Sequence, residues 1–100
     1  MAGFVQIMEL EPKNFDEFEA FTAKMREERG DALLANKATI TEDRDHAGRY
    51  YVILEFDSYE DAMKNSNDPE TSKYASQMAA ILNGPPKFYN LDVRSIVQVR

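Results

Sequence analysis

Apolar and polar positions alternate from Phe4 to Leu10. Phe4, Met8 and Leu10 share one side of an extended chain with Gln6, and Val5 and Ile7 share the other with Glu9. A first strand with two largely apolar faces follows. Asn14 and Glu17 then have the spacing of a capping box. Phe15, Phe18, Phe21 and Met25 fall within an arc of about 120° at helical spacing, so this helix turns one stripe to a core and stops at Gly30. Leu34, Ala38 and Ile40 alternate with Ala35, Lys37, Thr39 and Thr41, which predicts a half-exposed strand. The polar run Asp43–Gly48 reads as a hairpin loop. In the strand predicted over Arg49–Phe56, Tyr50, Val52, Leu54 and Phe56 line one face, and Tyr51 and Ile53 the other with Glu55.

Ser58 with Asp61 opens a short helix to about Asn65, and Asn65-Ser66-Asn67-Asp68 breaks it. Asp68 as N-cap and Pro69 as first helical residue start another, striped by Tyr74, Met78, Ile81 and Leu82. Gly84, Pro85 and Pro86 end it. A last strand is predicted from Phe88 to about Val99, with an irregularity near Arg94-Ser95.

Right-handed crossovers turn the order strand, helix, strand, strand, helix, strand into a single α+β domain over residues 1–100. It is a ferredoxin-like βαββαβ unit with an antiparallel sheet of order 4-1-3-2. Strands 1 and 3, apolar on both faces, fall in its centre, and the half-exposed strand 2 falls at an edge. Both helices cover the same face. The other face then turns either Val5, Ile7, Tyr51 and Ile53 or Met8, Tyr50, Val52 and Leu54 toward water, a patch that marks an interface. The expected partner is a second copy of the chain, sheet against sheet, as a homodimer.

The tract Tyr51-Val52-Ile53-Leu54-Glu55-Phe56-Asp57-Ser58-Tyr59-Glu60-Asp61-Ala62, the break Asn65-Ser66-Asn67-Asp68-Pro69 and the later Leu82-Asn83-Gly84-Pro85-Pro86-Lys87-Phe88 resemble the antibiotic-biosynthesis-monooxygenase type of dimeric α+β barrel, including small bacterial proteins of unassigned function. The resemblance covers nearly the whole chain in element order. It implies a small-molecule-binding barrel that oxidises an aromatic or quinol-like compound without a cofactor. The alternative it leaves open is a non-catalytic module for a ligand or a protein. Haem degradation in this superfamily looks to an Asn, a Trp and a His; the corresponding places hold Gln6, Met63 and about Ser76, and the chain has no Trp. Where quinol-type relatives often carry a His at the start of the second helical region, this chain has Glu70.

Composition narrows the field. The 100 residues carry 18 acidic and 12 basic side chains, a net charge of −6, which disfavours nucleic acid and anionic membranes as partners. Zero cysteine removes disulfides and thiolate chemistry. No apolar run approaches the ~20 residues of a membrane span, and the opening residues lack a basic leader, so a cytoplasmic location is expected.

Cofactor-free oxygenation needs an apolar pocket, a proton acceptor and groups that orient oxygens. The candidates for catalysis are Tyr50, Tyr51, Asn36 and Glu55. Those for a ligand pocket are Gln6, Tyr59, Met63, Tyr74, Met78 and Tyr89. For each tyrosine the competing assignment is plain packing. His46, in Asp43-Arg44-Asp45-His46, titrates near neutrality but reads as a solvated loop residue, and no metal-ligand spacing stands out. No metal and no cofactor is expected.

Overall fold

A computed structural model describes residues 3–100. Strand β1 (Phe4–Leu10) leads into helix α1 (Phe15–Arg29) and one 3-10 turn (Gly30–Leu33). Strands β2 (Ala35–Glu42) and β3 (Tyr50–Phe56) follow, then helices α2 (Tyr59–Asn67) and α3 (Pro69–Ala79) and strand β4 (Lys87–Asp92). All strand pairings are antiparallel, in the order β2-β3-β1-β4, which is 4-1-3-2 read from the other edge.

The predicted caps act as caps. Asn14 Oδ1 accepts from Glu17 N at 2.9 Å, Ser58 Oγ from Asp61 N at 3.1 Å, and Asp68 Oδ1 from Glu70 N at 2.9 Å. Each satisfies an amide that the first helical turn leaves unpaired. Gly30 ends α1 at φ 52, a backbone state that favours glycine.

In the β1–β3 register Phe4 faces Phe56, Gln6 faces Leu54, Met8 faces Val52 and Leu10 faces Tyr50. This side meets the helices. Leu10, Phe18, Val52, Met78 and Leu82 form one buried cluster, and Phe4, Phe56 and Ala62 a second beneath α2. Burial thus resolves the choice between the two faces: Val5, Ile7, Tyr51 and Ile53 belong to the helix-free side, and Met8, Tyr50, Val52 and Leu54 to the packed side.

Two expectations are corrected. Leu34 is not in β2; it takes a left-handed φ of 62 at the end of the 3-10 turn, and β2 then bulges between Ala35 and Lys37. The last strand stops at Asp92, well short of Val99. Asp92 pairs with Phe4, where β1 begins, so the ladder ends there; Val93 N then donates to the Gly3 carbonyl at 3.1 Å. Ile96, Val97 and Val99 are consequently exposed.

Candidate functional site

Between the packed face of the sheet and the helices lies a cavity of about 440 Å³. Met8, Ala38, Val52 and Leu54 form its floor, Phe18, Thr22 and Met25 its α1 wall, and Tyr74, Ala75 and Met78 its α3 wall. α1 and α3 present the short side chains of Thr22 and Ala75 to this space. The volume lies within the roughly 300–1,000 Å³ of small-molecule sites, and its lining is mainly apolar.

Polar groups gather at one part of this lining. Arg29, in phase with Phe18, Thr22 and Met25 at spacings of four, three and four along α1, is 8% exposed. Its Nη1 donates to Thr71 Oγ1 at 2.8 Å. Its Nη2 reaches Asn65 Oδ1 at 3.1 Å, Ala32 O at 3.3 Å and Asp68 Oδ2 at 3.3 Å. Thr71 Oγ1 in turn donates to the Asn65 carbonyl. The polar tract that ends α2 and begins α3 is therefore folded around one buried guanidinium. Arg29, Asn65 and Thr71 all line the cavity. They did not figure among the sequence candidates; the signal was an arginine in step with an apolar stripe, one residue before a helix-ending glycine.

Of the expected pocket residues, Gln6, Tyr74 and Met78 line the cavity, as does Asn36 from the catalytic set. Gln6 Nε2 donates to Asn90 Oδ1 at 3.0 Å, and Asn36 Nδ2 to Asp57 Oδ1 at 2.7 Å from the β2 bulge. Tyr74 presents its ring, while its hydroxyl donates to Glu28 Oε1 at 2.5 Å. That bond, then burial, raises the phenol's pKa above its ordinary value near 10.

The structure places the other candidates away from this cavity. Tyr59 and Met63 sit on α2 over the second core cluster, where Tyr59 meets Phe4 edge-on with centroids 5.4 Å apart. Tyr89, facing Ile7 across β4–β1, lies on the helix-free side; its hydroxyl donates to Glu9 Oε1 at 3.1 Å. Tyr51 and Glu55 share that side by register. Tyr50 is on the packed side but stacks on Phe15 at 4.6 Å, outside the cavity. Burial first, then the Glu42 carboxylate, raises its pKa too. His46 is exposed in the β2–β3 loop, with Nε2 4.0 Å from Glu11 Oε1. Among the described residues no Asp, Glu or His lines the cavity, and no three His, Asp or Glu side chains converge as a metal site.

No protein-family model matches the sequence, nor does any curated protein. Solved structures do match in shape. A monooxygenase from the ActVA-Orf6 gene of Streptomyces coelicolor, in complex with nanaomycin D, superposes with a TM-score of 0.81 at 18% identity, over 99% of this chain and 94% of that one. SnoaB, a cofactor-independent oxygenase from Streptomyces nogalater, gives 0.79 at 13% identity, over 97% and 98%. A putative antibiotic biosynthesis monooxygenase from Deinococcus radiodurans gives 0.78 at 7% identity, over 97% and 98%. The chain shares the α+β fold of these proteins. At these identities the likeness is one of fold, so the chemistry of the chain has to be argued from its own cavity. Among the described residues no helix is long and apolar enough to cross a membrane.

Proposed function

We propose that the protein is a homodimeric α+β barrel whose subunits each bind a planar aromatic, quinol-like compound in the sheet–helix cavity and oxidise it with O₂ without a cofactor. The observation that carries this reading is the cavity of about 440 Å³ with a mainly apolar lining. A flat ring system gains from burial against Met8, Leu54 and Met78, while the side-chain amides of Gln6 and Asn65 supply N–H donors that orient its oxygens. In the reaction, the ionised substrate passes one electron to O₂, and the radical pair recombines at a ring CH₂. One oxygen atom remains as a carbonyl, and the other leaves as water with the two hydrogens of that carbon. Because no carboxylate or imidazole lines the cavity among the described residues, the substrate has to be acidic enough to ionise without a side-chain base.

That same observation favours the second reading, a non-catalytic binding module. Oxygen uptake across a panel of anthrones, whose ring CH₂ can become the carbonyl, separates the two. The oxygenase reading predicts saturable uptake with matching carbonyl product, lowered about a hundredfold in Gln6→Leu, the scale expected for loss of one orienting donor. Saturable binding of the same compounds without uptake establishes the module instead.

The helix-free face supports the homodimer. Val5, Ile7, Tyr51 and Ile53 form a contiguous apolar patch at the centre of the sheet, flanked by Tyr89 and Leu91 of β4.

A further inference from the structure

From the charges around the cavity we infer that its ligand is an anion, a planar aromatic carboxylate whose acid group is set against Arg29. This rests on the cavity being the ligand site and adds the class of compound it selects. Eighteen of the chain's residues are acidic and twelve basic, yet the cavity lining includes Arg26 and Arg29 and, among the described residues, no Asp or Glu.

Arg29 has the capacity to bind one. A guanidinium carries five N–H donors. Nη2 spends both of its hydrogens among Asn65, Ala32 and Asp68, and Nη1 spends one on Thr71. Nε–H and the second Nη1–H have no acceptor among the described residues. The side chain is 4% exposed and lines the cavity, so the cavity is where an acceptor for these donors fits. Asp68 offsets part of this charge, but from outside the cavity. Its side chain is 33% exposed, it is not among the lining residues, and its other oxygen caps α3. It anchors the guanidinium from the solvent side. A carboxylate adds to these bonds an opposite charge, and two oxygens in the planar arrangement that suits a guanidinium, neither of which a neutral amide or quinone oxygen offers. Arg26, one turn earlier on α1 and without a carboxylate within ion-pair distance among the described residues, adds a second positive charge near the cavity rim.

The test compares anthraquinone-2-carboxylate with anthraquinone-2-carboxamide, equal in shape and different in charge, by calorimetric titration of the wild-type chain in 0.1 M salt. The expected result is a carboxylate bound about tenfold more tightly or better, with the advantage shrinking at 1 M salt and in Arg29→Gln. Should Arg29→Gln not fold, the exposed Arg26→Gln variant is expected to reduce the advantage by a smaller factor. Equal affinities, or a preference for the amide, overturn the inference while leaving the cavity a ligand site. If neither compound binds at millimolar concentration, the ligand-site reading falls and this inference falls with it.

Discussion

Arg29 and Tyr74 show how much one side chain's environment escapes a sequence. Arginine in the last turn of a helix ordinarily offsets the helix dipole from the surface, and only its phase with the Phe18 and Met25 stripe sets Arg29 apart from that role. Its partners Asn65, Asp68 and Thr71 arrive from a segment some forty residues later, and only the fold brings them together. Tyr74 was legible as an apolar-stripe residue, but the carboxylate that takes its hydroxyl comes from α1. This bond makes a pH-dependent prediction. The folded phenol's pKa is raised, by the bond to Glu28 before burial. Its contribution to stability is therefore complete below the unfolded value of about 10 and is lost as pH rises through the folded one. Thermal unfolding of Tyr74→Phe is expected to show a lower Tm than wild type at pH 8, with the difference narrowing above pH 10. A constant difference across that range would mean that the hydroxyl contributes nothing beyond packing.

At the level of elements, local chemistry and period carried most of the information. Asn14, Ser58 and Asp68-Pro69 mark their helix starts because capping is decided within three residues. Strands β1 and β3 were readable because two apolar faces require a central position. The end of β4 was not, because Ile96, Val97 and Val99 have strand-like composition and only the length of β1 limits how far pairing extends. Alternation alone also left open which face the helices cover; the burial of Phe4, Leu10, Val52 and Phe56 decides it. The remaining face, centred on the Ile7–Ile53 pair, belongs to the proposed dimer. Sedimentation is expected to give twice the 11.5 kDa chain mass, and Ile53→Glu, which sets a charge in the middle of the patch, is expected to shift the protein to monomer. A wild-type chain that stays monomeric at every concentration contradicts the dimer without touching the cavity.

For the whole molecule, the resemblance implied a small-molecule pocket but not which side chains would line it. Gln6, Tyr74 and Met78 line it, whereas Tyr59, Met63 and Tyr89 do not, because α2 sits over the Phe4–Phe56 end and β4 turns Tyr89 to the helix-free side. An acidic chain has also built an enclosure whose charged lining is basic, which no overall count of charge reveals. The central claim is that this enclosure receives a planar aromatic ligand. Ala38 lies on its floor in the edge strand and is exposed, so Ala38→Trp fills the space without displacing core side chains. Titration of wild type and Ala38→Trp with anthraquinone-2-carboxylate is the most direct measurement. The account predicts one saturable site per wild-type chain and binding about tenfold weaker or worse in a variant that still unfolds cooperatively. Equal affinity for the two proteins, or no binding to wild type, would contradict it.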